Sequence, residues 1–173
     1  MKHLSKLSIL FISFIGFIFA GSVLIRAENF GSINNKIGLT INLLNENSDI
    51  IEKLELTNEI IHQFKIHTIT SSNPFLKGIH KFDGILLSDI LDYVSASGDT
   101  IVAYALDEYT VDIPAEDVRN YPVLVATTMD GKLLDVRDKG PFWIIYPVDQ
   151  YDELRSEEYS SRSIWQLRQL TVK

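Results

Sequence analysis

The stretch "DVRDKGPFWIIYP", Asp135 to Pro147, sets three consecutive charged residues, Arg137, Asp138 and Lys139, against Gly140-Pro141 and an unusually apolar run. The run reads as a strand that a core must bury, and the charged loop before it as a feature at the core's mouth. Just upstream, Asp130-Gly131 separates "VLVATTM" from "KLLDV". It is the strongest hairpin signal in the chain, because a type I′ turn needs positive φ at both central residues. Downstream, "SIWQLRQLTV" alternates Ile164, Gln166, Arg168, Leu170 and Val172 with Trp165, Leu167, Gln169 and Thr171, which suits a last strand.

Further back, "GLTINLL" (Gly38–Leu44), "IIEKLEL" (Ile50–Leu56), "KIHTITS", "TIVAYAL" and "YTVDIP" also read as strands. "TNEIIHQF" reads as a short helix capped by Thr57 or Asn58. "LLSDILDYVSASG" is the clearest helix. Leu87, Ile90, Leu91 and Val94 share one face, Ser88 is the expected N-cap, and Gly98 stands where the helix should stop. The other Asp-Gly pair, Asp83-Gly84, reads as a turn. Roughly eight strands with two or three short helices, and few long crossovers, give an α+β class: a mixed, mainly antiparallel β core with short peripheral helices.

The chain's 173 residues suffice for one sizeable core. Residues 1–27 read as a signal peptide: Lys2, His3 and Lys6, an apolar run from about Leu7 to Phe19, then small residues up to Ala27. An uncleaved anchor is the alternative, since Leu7 to Ile25 nearly matches a bilayer. Residues 28–48 form a lead-in and first strand, and 49–173 the main domain. The expected location is outside the cytoplasm, in a periplasm, with membrane attachment only if the first segment is retained.

The chain has no cysteine. Every thiolate nucleophile and every cysteine-held metal is thereby excluded, and the fold must rest on its hydrophobic core. With 16 basic and 23 acidic residues the net charge is -7, and all the acids lie beyond residue 27. Such a surface repels phosphate backbones, so nucleic acid is not an expected partner. Arg137, Arg155, Arg162 and Arg168 fall in the final third, where a local anion site could form. No zinc-protease, phosphate-loop or nucleophile-elbow motif is present. His62, His67 and His80 lack ligand-like spacing, so no metal site is assigned. Asp107-Glu108 and Glu116-Asp117 read as solvated turn or helix-start charges.

From Tyr109 onward the order of features resembles the oxidoreductase molybdopterin-binding domain, the sulfite oxidase fold. The residues that carry the likeness are Ile113-Pro114, Glu116-Asp117, Met129-Asp130-Gly131, Gly140-Pro141, Pro147 and Trp165. "FDGILLSDILDYV" is similar to that family's first helix, and the resemblance spans roughly residues 51 to 173. "RDKGP" and "SRSIWQLR" resemble a branch of small exported members. The resemblance implies a mixed α+β fold and, for family enzymes, molybdenum held by a pterin dithiolene and a cysteine thiolate. The matching stretch here, "HTITSSNPF" (His67–Phe75), offers Thr70, Ser71, Ser72 and Asn73 instead. No cofactor is therefore expected, and molybdopterin enters by resemblance only. No catalytic residue is assigned.

Three readings follow. In the first, a non-catalytic binding module uses the two motifs for a small anion, or for a partner such as a membrane sensor or redox protein. In the second, the chain is a molybdopterin-dependent oxidoreductase with a non-cysteine ligand. In the third, the charges only pair and cap strand ends. The expected ligand-binding set is Arg137 and Arg162 as planar donors, Lys139 as a point charge, Asp138 orienting an arginine, and Trp143 and Trp165 as an apolar wall. Arg137 and Arg162 should then approach a common concave surface.

Overall fold

The computed structural model describes residues 38–173. The expected signal segment and most of the lead-in lie outside the described residues. No helix among those described is long and apolar enough to cross a membrane.

Two five-stranded sheets form the core. The first is built from β1 (Leu39–Leu44), β2 (Ile50–Leu56), β5 (Thr100–Ala105), β6 (Thr110–Pro114) and β10 (Leu167–Val172), in the order β2-β1-β10-β5-β6. The second holds β3 (His67–Ser72), β4 (Ile79–Leu86), β7 (Leu124–Met129) and β8 (Lys132–Leu133) in that order, with β9 (Trp143–Ile145) also paired to β7. Only β1 and β10 run parallel; the other pairings are antiparallel. Short helices lie between strands: α1 (Asn58–Ile61), α2 (Leu87–Tyr93), α3 (Ala115–Asn120) and α4 (Glu157–Arg162), with a 3-10 turn at Asp152–Arg155. This is the mixed, mainly antiparallel α+β fold expected. β1, grouped with the lead-in by sequence, is an interior strand of its sheet.

The apolar run of the opening stretch is explained by its neighbours. Phe142, Ile144 and Tyr146 belong to the large cluster between the sheets, while Trp143 and Ile145 join Ile69, Phe82, Leu124 and Ala126 in a second cluster. Successive side chains of a strand point to opposite faces, so β9 is buried on both and cannot alternate with polar residues. β7 and the residue before it divide in the same way, with Val123 and Val125 in one cluster and Leu124 and Ala126 in the other.

Several local expectations are corrected. Asp83-Gly84 is not a turn but lies inside β4, where the pairing with β7 slips by one residue. A Cβ at Gly84 would collide with the Val125 carbonyl, so glycine is present for close backbone approach. Ser88 does not cap α2; the cap position is Leu86, and the helix ends at Tyr93, before Gly98. The simple alternation over β10 breaks at Arg168, where a bulge lets both Leu167 and Leu170 face the core. The hairpin at Asp130-Gly131 is as expected, with φ of 51° and 76°.

Candidate functional site

The loop before β9 is tied at both ends by backbone chemistry. The Asp135 carboxylate accepts the Arg137 amide at 2.8 Å, and the Asp135 carbonyl accepts the amides of Asp138 (3.0 Å) and Gly140 (2.8 Å). The first of these bonds is also what holds the Asp135 carboxyl below its usual pKa. A Cβ at Gly140 would strike the backbone of Leu134 and Asp135, and the Gly140-Pro141 peptide is cis. From the other side, Gln166 clasps the loop: its amide donates to the Lys139 carbonyl and its side chain to that of Val136.

That clasp puts Lys139, Trp143 and Trp165 together, as one group of the expected site. The Lys139 ammonium lies 4.5 Å from the Trp165 ring centroid and 5.2 Å from that of Trp143. Its side chain is only 17% exposed. Trp143 is fixed by an indole bond to the Ser163 carbonyl at 3.0 Å, and its ring meets Trp165 edge-on. Phe75 packs edge-on against Trp165 at 4.7 Å. The lysine is thus a cation stored between two indoles.

The two arginines are held by different acids, and no contact among the described residues joins them. Arg137 is 93% exposed, with only Asp135 nearby. Arg162, 13% exposed, donates to Asp117 at 2.8 Å and to Glu158, and its guanidinium stacks 5.1 Å from the Tyr159 ring. Asp138 does not orient an arginine. It is exposed, and its carboxylate reaches only toward Lys139, at 4.0 Å.

Asp117 corrects another expectation. Read as a solvated helix-start charge, it is buried and accepts both Arg162 and, at 2.9 Å, the Tyr146 hydroxyl. Burial first, and then the Asp117 charge, push the Tyr146 phenol's pKa well up, so Tyr146 acts as a neutral donor. Tyr121, which donates to Glu153 at 3.1 Å, is pushed up to about 12 by desolvation and then by that carboxylate. Tyr121 and Tyr146 both pack on Tyr159, so the arginine–acid pair sits in an aromatic surround.

Sequence reasoning also passed over a cleft of about 200 Å³ beside Trp165. It opens between Phe75, the β5–β6 turn at Asp107–Tyr109, and the segment from Ser160 to Trp165. Phe75 and Tyr109 are exposed apolar residues at this cleft.

Across His67–Phe75 each polar group has a local role or stays alone. Ser72 donates its amide and hydroxyl to Asp149, at 2.5 and 2.9 Å, and the amide bond is the main cause of the lowered Asp149 pKa. Asn73 caps the Phe75 amide at 3.0 Å. Thr70 points outward, and the buried Ser71 hydroxyl has no partner. A neutral hydroxyl is far less acidic and less polarisable than a thiol. This donor set does not fit a metal centre that needs a thiolate ligand.

Comparison with known proteins places the architecture. The crystal structure of the sulfane dehydrogenase SoxCD from Paracoccus pantotrophus superposes with a TM-score of 0.58 at 19% identity, over 80% of this chain and 39% of the other. The likeness is one of fold, that of a mixed α+β molybdopterin-binding-type domain, and the chain spans about two-fifths of that protein's length. The family model for the oxidoreductase molybdopterin binding domain matches residues 38–149, and the chain belongs to that family. No curated protein sequence matches it.

Proposed function

We propose that this chain is an exported, non-catalytic binding or sensory-partner module built on the molybdopterin-binding-domain fold, binding a small anion or a partner protein such as a membrane sensor or redox protein. One observation supports it above the rest: the two enclosed cations of the expected site are already engaged within the protein, and no thiolate is present. Lys139 is enclosed by Trp143 and Trp165, Arg162 is taken by Asp117 and Glu158, and His67–Phe75 supplies no thiolate. A pterin with its phosphate needs several free cations. The same satisfaction weakens the small-anion version, because of the expected set's three cations only Arg137 faces solvent.

Molybdenum and pterin analysis of the chain purified from its native compartment tests this reading, with no stoichiometric metal expected. About one molybdenum per chain would replace it with the alternative, a molybdopterin-dependent oxidoreductase using a non-cysteine ligand. Fractionation of the producing cells tests export, and recovery in the cytosol would remove that part.

A further inference from the structure

The cleft beside Trp165 has a chemical character of its own. Its walls are Phe75, Ala105, Tyr109, Ile164 and Trp165. A dry apolar cavity of about 150 Å³ holds a benzene ring, so about 200 Å³ admits a ring with a short chain. Phe75 and Tyr109 stay 42% and 48% exposed, leaving aromatic surface open to a guest.

Its polar lining is biased toward acceptors. Each serine hydroxyl spends its proton inside or just before α4: Ser160 on the Ser156 carbonyl (3.1 Å), Ser161 on Glu158 (2.6 Å) and Ser163 on Tyr159 (3.0 Å). The Tyr109 hydroxyl donates to the Ser161 carbonyl at 3.4 Å. A hydroxyl whose proton is committed offers only lone pairs to a newcomer. Asp107 adds a carboxylate: one oxygen accepts the Tyr109 amide at 3.1 Å, and the other has no hydrogen-bond partner among the described residues. The Trp165 indole N–H is the exception, a side-chain donor without a partner among them.

The nearby cations are Lys139, lying over Trp165, Arg168, bonded to the Ala105 carbonyl at 2.9 Å, and Arg162, held by its acids. None of the three lines the cleft. The chain's excess of acid adds a field that draws positive charge.

Resting on the binding-module reading, we infer that this cleft is a site for a small organic cation: a protonated amine on a ring-sized apolar body. The ring fills the aromatic walls, and the ammonium donates to Asp107 and the hydroxyl lone pairs. An anionic ring would set a second negative charge beside Asp107. A neutral one would bring no charge to balance that carboxylate.

Calorimetric titration of the purified chain with 2-phenylethylammonium, 2-phenylethanol and phenylacetate tests it. The ammonium should bind about tenfold tighter than the alcohol, and phenylacetate weakest. Asp107→Asn should bring the ammonium down to the alcohol's level and leave the alcohol unchanged. Equal binding of the three, preference for phenylacetate, or no binding by any up to millimolar concentration would overturn the inference. The metal analysis is independent of these results: a metal-free chain that ignores all three probes loses this site and keeps the module reading.

Discussion

Arg137 and Arg162 belong to motifs that look equally charged in the sequence, yet the fold uses them in opposite ways. Arg137 is almost wholly in water, and its loop is held through its backbone amide. Arg162, on α4, is enclosed where Asp117 of α3, Glu158 and Tyr159 of α4 and Tyr146 just after β9 converge. The contrast teaches that the role of a charge is set by what the fold places opposite it. For Arg162 that partner is 45 residues away in the chain.

The largest effect should come from breaking the enclosed pair. Arg162→Ala leaves Asp117 buried with only the Tyr146 hydroxyl, and removing one partner of a buried pair costs about 3 kcal/mol or more. Urea denaturation should show this, and a cycle with Asp117→Ala should show coupling of at least about 1 kcal/mol. Additive losses, or a midpoint unchanged by Arg162→Ala, would remove the claim that the pair acts as a unit.

Next in size is the stored lysine. Lys139→Met keeps an apolar stem between the indoles but removes the ammonium, at a cost of about 1–2 kcal/mol for a partly desolvated cation–π contact. The near-ultraviolet dichroism of Trp143 and Trp165 should change with it. A variant as stable as the parent, with the same spectrum, would mean that the cation contributes nothing.

These two sites also show how far the sequence could be read. β9 was legible because a strand buried on both faces must be apolar, and the hairpin at Asp130-Gly131 because its dihedral needs are local. Asp83-Gly84 carries the same dipeptide and was misread: what demands glycine there is the Val125–Ala126 backbone on another strand. Lys139 and Trp165 lie in the two resembled motifs and Trp143 two residues past the first, so their meeting could be anticipated. Asp117 could not be placed, since an acid at a helix start is usually solvated and its partners arrive from α4 and from Tyr146, just after β9. The cleft was equally hidden, because whether a serine offers a proton or a lone pair depends on which carbonyl it meets.

A milder, pH-dependent effect is expected at the hairpin clip, away from both arginines. Both His80 ring nitrogens face acceptors, Asp130 at 2.7 Å and the Lys77 carbonyl at 3.0 Å, which only the imidazolium can satisfy together. The Asp130 hydrogen bond first, then the Lys77 carbonyl, raise the His80 pKa above 6.5, and the bond to His80 lowers that of Asp130 below 3.8. His80's contribution is full below its unfolded value of 6.5 and is lost as pH rises through the raised folded value. Asp130's contribution is present above 3.8 and is lost as pH falls through the lowered one. Urea midpoints across pH should fall above pH 6.5 in the parent and less steeply in His80→Ala. Parallel curves would show that the clip contributes no pH dependence.

The smallest effect is the one that closes the comparison. Arg137→Ala removes the most exposed of the motif's charges but keeps the amide that Asp135 binds, so the loop retains its anchor. The change should stay within about 0.5 kcal/mol, as for surface substitutions away from special features. Asp135→Ala, which deletes the acceptor itself, should destabilise more than Arg137→Ala, and comparing the two separates backbone anchoring from side-chain pairing. If Arg137→Ala were instead as damaging as Arg162→Ala, the guanidinium would be engaged in a contact made only in solution. The division between an exposed and an enclosed arginine would then fail.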